Sequence, residues 1–368
     1  MMKKVLAMAL AAVLAITCLA ACSGEKENLE GAHVFMFKST GNAFGTLMYE
    51  GFEKAVKEAG GTAVFKSPAE TTVAAQVEML DTLITQKVAS ITISTNGDVG
   101  YEEVFKRAEA AGIKIISADS LASPDYRVTH VDQCAPEAIG SALIQAATLI
   151  ALGIDYPADG NLEAAVAKAL ADYSGEEIKF GVLSAAVDTP VQNNWIAKME
   201  AELKKDVYQG KVNATLDKKY GNDDPTVSTT QANAFVAENA VDVIISPTTI
   251  GMAAAGQVLK SSGSDIKLTG LGLPSEMQGF MPTKATDNAF DFVCPYMMLW
   301  DVIELGSVAA AASLAAAEGK YDGKIGSTFT YNGKTYTTVA ADDGGTRVIA
   351  LDPYVFHKGN MADWKDKL

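Results

Sequence analysis

The residues best equipped for chemistry stand directly after short apolar runs. "KSTGNAFG" (38–45) follows the run "HVFMF" (33–37) and precedes an amphipathic stretch. A dinucleotide pyrophosphate could sit in such a loop, but it needs glycines at GxGxxG spacing so that the backbone can close on the phosphate. Here Gly41 and Gly45 stand as GxxxG, while Lys38, Asn42 and Phe44 offer a cation, an amide and a ring. An acidic residue for a ribose hydroxyl should follow the second strand, where "TAVFKSPAE" presents Lys66 and Ser67 first. The loop therefore predicts a small-molecule site at the carboxyl end of a strand.

Other strand ends carry polar groups in the same way. Asp119 follows "IISA", Gln192-Asn193-Asn194-Trp195 follows "VLSAAVDTP", and Pro247-Thr248-Thr249 follows "VIIS". "GLGLPSEM" follows "IKLT", and Trp300-Asp301 precedes a long helical pattern in which Asp301 is a candidate N-cap. Carboxylates, amides and hydroxyls suit the hydroxyls of a neutral polyol, and rings cover its C–H faces. Catalytic chemistry has less support. His33, His130 and His357 lack metal-ligand spacing, there is no GxSxG, and no motif sets two carboxylates across a cleft. The expectation is a binding protein rather than an enzyme, with no metal and no cofactor.

Short strands and amphipathic helices must position these ends. Apolar runs at 33–37, 62–66, 89–94, 113–118 and 127–131 alternate with helical periodicity over about 47–59, 71–86 and 100–112. The rhythm returns with runs at 178–184, 211–216, 241–246, 266–272 and 289–293, separated by helices over 191–207, 225–239 and 250–262. A helix over 301–319 closes the series, and "FTYNGKTYTTV" then carries an Asn332-Gly333 hairpin signal before the last strand, "TRVIAL". Two such series predict two similar α/β lobes with parallel sheets covered on both faces, the first break lying near 131–136. Residues 153–177 interrupt the pattern. Their Leu162, Val166 and Leu170 share one helical face, which predicts an insertion packed on the second lobe.

The chain has 368 residues, a net charge of −15 and a pI near 4.7, with no basic block to suit nucleic acid. "MMKKVLAMALAAVLAITCLAAC" joins two lysines to a short apolar run and small residues, the pattern of an export signal. Leu19-Ala20-Ala21-Cys22 resembles a bacterial lipobox, which implies cleavage before Cys22, lipidation there and a stable hold on the membrane. The polar "SGEKENLEG" that follows reads as a tether. Cys134 and Cys294 are too few for a disulfide scaffold, and buried free thiols are expected unless the fold brings them together.

"KSTGNAF", "AQVEMLDTLITQKVASITIST", "AGIKIISADS", "VQNNW", "SPTTIGMAAAGQ", "GLGLPSEM" and "LWDVIELG" occur in one order over about 32–356. In that order they resemble the type I periplasmic binding proteins, specifically the rhamnose/autoinducer-2 receptor branch of sugar ABC transporters. The resemblance implies two Rossmann-like lobes joined by a three-strand hinge, with a sugar trapped between them. The lipobox-like leader gives a signal peptide over 1–21 and a lipidated tether over 22–31. The N-terminal lobe would comprise 32–132 and 300–335, the C-terminal lobe 133–299 and 336–356, and 357–368 a tail. The hinge would be crossed near 131–135, 294–300 and 335–345, placing Cys134 and Cys294 near crossings and keeping a bridge possible.

By position, the resemblance gives ligand contacts to Lys38, Asp119, Gln192 and Pro247, and to Asn42, Phe44, Thr248, Thr249 and Trp300. Lys38 would either touch the ligand or brace Asp119. Val191 stands where autoinducer-2 receptors carry a second aspartate, and Thr249 where they carry alanine, which favours a rhamnose-like sugar. The implied partners are that sugar, an ABC permease and, through Cys22, the membrane, with the receptor a monomer. An autoinducer-2 receptor and a sensor for a membrane kinase are the alternatives.

Overall fold

The computed structural model describes residues 28–368; the leader, Cys22 and most of the tether lie outside the described residues. No helix among the described residues is long and apolar enough to cross a membrane. The chain opens with β1 (His33–Met36), α1 (Ala43–Glu58), β2 (Ala63–Lys66), α2 (Val73–Thr85), β3 (Ser90–Ile93), α3 (Glu102–Ala110), β4 (Lys114–Ala118) and β5 (Thr129–Asp132). It continues through α4 (Pro136–Ala151), α5 (Leu162–Ala171), β6 (Phe180–Ser184), α6 (Pro190–Glu202), β7 (Asp217–Tyr220) and α7 (Pro225–Glu238). Then come β8 (Val243–Ser246), α8 (Thr249–Ser262), β9 (Lys267–Gly270), the short α9 (Pro274–Met277) and β10 (Met297–Leu299). The last part holds α10 (Val302–Ala317), β11 (Thr328–Tyr331), β12 (Lys334–Thr337), β13 (Val339–Ala340), β14 (Thr346–Ile349), β15 (Tyr354–Phe356) and α11 (Met361–Trp364).

These elements form two α/β lobes. The first sheet has the order β13-β14-β5-β4-β3-β1-β2 and is parallel except at β13; the second, β7-β6-β8-β9, is wholly parallel. Alternation along β1 sends Phe35 to one apolar cluster and Val34 and Met36 to the other, so both sheet faces are covered. Helix α10 returns to the first lobe and lies against α1 at glycines. A Cβ on Gly51 would stand 1.7 Å from the Ile303 carbonyl oxygen, and one on Gly306 would stand 1.8 Å from that of Met48. The Ser307 hydroxyl seals this contact by donating to the Gly51 carbonyl at 3.0 Å.

Three segments join the lobes: 133–135 after β5, Trp300-Asp301 after β10, and 350–353 between β14 and β15. The third crossing falls later than the expected 335–345. β14 pairs in parallel with β5 in the first sheet, so the assignment of 336–356 to the second lobe fails as far as Ile349. Only β15 leaves, to pair antiparallel with β10. The Asn332-Gly333 turn does join a hairpin, β11 to β12, and Tyr336 there stacks on Phe329 beside α10.

Two expected strands are displaced. Residues 211–216 make only a bridge, Val212 to Ile178, and the edge strand is β7, one segment later. "DKKY" is half-buried throughout, so it lacks the apolar run that marks a central strand. The stretch 289–293 is a short 3₁₀ turn, Ala289–Asp291, capped by Asn288. The insertion behaves as expected: Asn161 caps α5, and Leu162, Val166 and Leu170 are buried. Cys134 and Cys294 are buried free thiols, and desolvation raises both well above the ordinary thiol range.

Candidate functional site

The carboxyl ends of the two sheets face one another across a cavity of about 370 Å³. Lys38, Asn42, Phe44 and Asp119 line it from the first lobe, Gln192, Pro247, Thr248 and Thr249 from the second, and Trp300 from the return crossing. All nine residues singled out from the sequence therefore stand around one space. Lys38, Asp119, Gln192 and Trp300 are almost entirely buried, so the lobes lie closed over it. Among the described residues no cluster of His, Cys, Asp and Glu has the makings of a metal site.

The charged centre belongs to the first lobe. Lys38 Nζ lies 3.0 Å from Asp119 Oδ2, which also accepts from the Ser94 hydroxyl at 2.6 Å. Asp119 sits at φ 65°, a left-handed conformation that Asp tolerates better than most residues and that is a local strain. The strand ends beneath are tied together by side chains. Gln76 donates to the Ser94 carbonyl at 2.8 Å, and Asn96 donates to the Lys38 carbonyl at 2.9 Å. The Tyr101 hydroxyl donates to Gln76 and accepts from the Asn96 amide. Burial pushes the Tyr101 phenol up, so it remains a neutral member of this network.

Local chemistry sets the rest. Gly41, at φ 77°, makes the turn of the opening loop. Gly45 plays another part: it lies inside α1, where a Cβ would meet the Phe37 ring at 2.4 Å. Asn42 caps α1 by accepting from Gly45 N at 3.2 Å, which leaves its amide N–H groups toward the cavity chemistry. Asp301 caps α10 as expected, accepting from Glu304 N at 3.0 Å. Thr248 occupies the N-cap position of α8 but makes no side-chain cap; its hydroxyl donates to Asp223 Oδ1 at 2.6 Å instead.

The aromatic wall is larger than expected. Trp300 meets Phe44 edge to face at 6.2 Å between centroids and Trp195 at 5.8 Å. Trp300 Nε1 and Gln192 Oε1 are buried without a protein partner, and both residues line the cavity. Buried polar atoms are seldom left unpaired, so these are groups for a bound molecule to satisfy.

Sequence reasoning missed Phe37, Asp223, Leu271 and Leu299 as lining residues, and named Trp195 at a strand end without assigning it a ligand contact. Trp195 was legible, because it stands three residues after Gln192 on one helix face. Asp223 was hidden by the misplaced strand, since its loop follows β7 rather than 211–216. Val191, where a carboxylate was counted as lost, is buried in α6 away from the cavity lining; the second lobe brings a carboxylate from another loop. Of "GLGLPSEM" only Leu271 lines the cavity.

Comparisons with known proteins agree with this architecture. Residues 33–321 match the periplasmic binding protein domain family. An ABC transporter solute binding protein from Clostridium phytofermentans, with bound L-rhamnose, is 30% identical at a TM-score of 0.80, over 92% of this chain and 99% of that one. A sugar ABC transporter structure from Actinomyces odontolyticus is 27% identical at a TM-score of 0.64, over 92% and 98%. LsrB from Clostridium saccharobutylicum, in complex with AI-2, shares the fold at 22% identity and a TM-score of 0.77, over 90% and 99%. With a family match across most of its length and a 30% identical relative spanned almost end to end, this chain belongs to the periplasmic binding protein family, among the solute-binding proteins of ABC transporters.

Proposed function

We propose that the chain captures one small neutral sugar, a rhamnose-like deoxyhexose or a related monosaccharide, between its lobes and delivers it to an ABC permease. The observation that carries this reading is the cavity lining: a braced carboxylate, amides and hydroxyls beside a wall of Phe44, Trp195 and Trp300. Polar groups of that kind hydrogen-bond sugar hydroxyls, and ring faces cover the C–H surface. The relative at 30% identity carries L-rhamnose.

Binding would work by hinge closure. A sugar bridging Asp119 of the first lobe and Gln192 of the second stabilises the closed state, and that state is the one the permease reads. A dissociation constant near 1 μM corresponds to about −8 kcal/mol, within reach of a few buried hydrogen bonds plus ring contact. The receptor is a monomer outside the cytoplasm, held to the membrane by lipid on Cys22.

Two of the three tryptophans line the cavity, so intrinsic fluorescence and thermal shift both report occupancy. The panel holds L-rhamnose, D-fucose, D-arabinose, D-tagatose and borate-free autoinducer-2. A sugar at about 100 times its dissociation constant adds roughly 2.7 kcal/mol of stability, a shift of several degrees. A response to autoinducer-2 alone would refute the sugar reading, as would silence across the neutral sugars.

A further inference from the structure

The cavity holds a second carboxylate, half-buried where Asp119 is buried, and its backbone and hydroxyl partner mirror those of the first. Asp119 directly follows β4 in the first lobe, and Asp223 lies in the loop after β7 in the second. Both sit in left-handed backbone, at φ 65° and φ 49°, and Asn222 beside the latter is at φ 56°. Residues other than glycine keep such a conformation where their surroundings hold it, and that often marks a working site. Each carboxylate is oriented by one hydroxyl at 2.6 Å, Ser94 on Asp119 Oδ2 and Thr248 on Asp223 Oδ1. In each, the other oxygen has no protein hydrogen-bond partner among the described residues.

The two differ in charge compensation. Asp119 is neutralised by Lys38 at 3.0 Å, whereas Asp223 has no ion-pair partner among the described residues. Among the described residues Lys38, Asp119 and Asp223 are the only ionisable side chains lining the cavity, so that lining carries one uncompensated negative charge. We propose that Asp223 is the second lobe's specificity residue: its free Oδ2 accepts from ligand hydroxyls, and its unbalanced charge excludes anionic sugars such as uronates and aldonates. This rests on the sugar reading above and extends it. The ligand is then a neutral polyol gripped by one carboxylate from each lobe, and closure requires a hydroxyl for each.

The test titrates the purified protein by tryptophan fluorescence with L-rhamnose, D-fucose, D-arabinose and D-tagatose, and with D-galacturonate and D-gluconate. The wild type should bind at least one neutral sugar and neither acid. Asp223→Asn keeps the shape but removes the charge, and should weaken that neutral sugar about 10- to 100-fold, the scale of a charge-assisted hydrogen bond. Its sugar-free melting temperature should stay within a few degrees of wild type. Should that variant not fold, Thr248→Val, which releases Asp223 Oδ1, carries the test with a smaller loss of affinity. An Asp223→Asn protein that binds the neutral sugar within twofold of wild type would overturn the assignment. So would a wild type that takes an acid as tightly as a neutral sugar. Failure of every neutral sugar on the wild type would instead overturn the sugar reading, and this assignment with it.

Discussion

The Lys38–Asp119 pair makes a quantitative prediction about the ligand-free protein. Both side chains are about 5% exposed, and their charges are 3.0 Å apart. At an effective dielectric near 20, two unit charges at that spacing attract by roughly 5 kcal/mol. Desolvation of each ion offsets much of this in the net stability, but it does not enter the coupling between the two residues. Lys38→Met leaves the Asp119 carboxylate with only the Ser94 hydroxyl, and Asp119→Asn leaves a buried ammonium facing an amide. Removing one partner of a buried pair costs about 3–5 kcal/mol, and the adjoining cavity, which admits water, places these variants near the lower figure. In the double variant neither charge is stranded. Its loss should be smaller than the sum of the single losses by about 2–3 kcal/mol, less than the full attraction because water from the cavity solvates the charge left in each single variant, measured by urea unfolding followed by circular dichroism. Single losses that add to within about 0.5 kcal/mol would refute the reasoning: Lys38 would not brace Asp119 and would be free to serve the ligand directly.

Three further outcomes follow from the packing and the hinge. Gly306→Ala drives a methyl into the Met48 carbonyl, and this clash outweighs the gain of about 1 kcal/mol in helix propensity; a net loss of about 2 kcal/mol should lower the melting temperature by roughly 3 °C. Lys198, on α6, reaches Glu137 at 2.7 Å and, across to the first lobe, Asp342 at 3.2 Å. Lys198→Met should therefore speed sugar release by up to about fivefold in stopped-flow at low salt, and the effect should vanish near 1 M salt, where the Debye length is about 3 Å. Asp343 anchors the same turn through a two-pronged bond to Arg127, at 2.6 and 2.8 Å. Burial pushes its carboxyl up, but the Arg127 hydrogen bonds and charge outweigh that and hold it below the ordinary value. A carboxyl lowered on folding stabilises fully above its unfolded pKa, about 3.9, and less as pH falls through the folded value. Melting temperatures should thus fall more steeply below about pH 4 in wild type than in Asp343→Asn; parallel curves would remove Asp343 from the acid response.

What the sequence alone determined was local and periodic. Most apolar runs of four to six residues bounded by Gly and polar turns became strands covered on both faces, and the groups at their carboxyl ends are then committed to one edge of a sheet. That logic reached Lys38, Asp119, Gln192 and Pro247 without any knowledge of how far apart they lie. The caps Asn42 and Asp301, the Asn332-Gly333 turn and the apolar face of α5 were legible for the same reason, since each depends on neighbours within a few residues.

The tertiary structure decided whatever depends on contacts distant in the chain. β7 is an edge strand whose lysines are half-buried, so its hydropathy resembles a loop and the strand end at Asp223 was invisible. β14 joins the first sheet because β5 offers it a ladder more than two hundred residues away, which moves the third crossing to 350–353. Gly45 is marked in the sequence only by its GxxxG spacing, yet its role is set by the Phe37 ring that presses on it. Above all, hydropathy and spacing do not encode charge balance. Only the folded cavity reveals that one of its two carboxylates has a cation and the other has none.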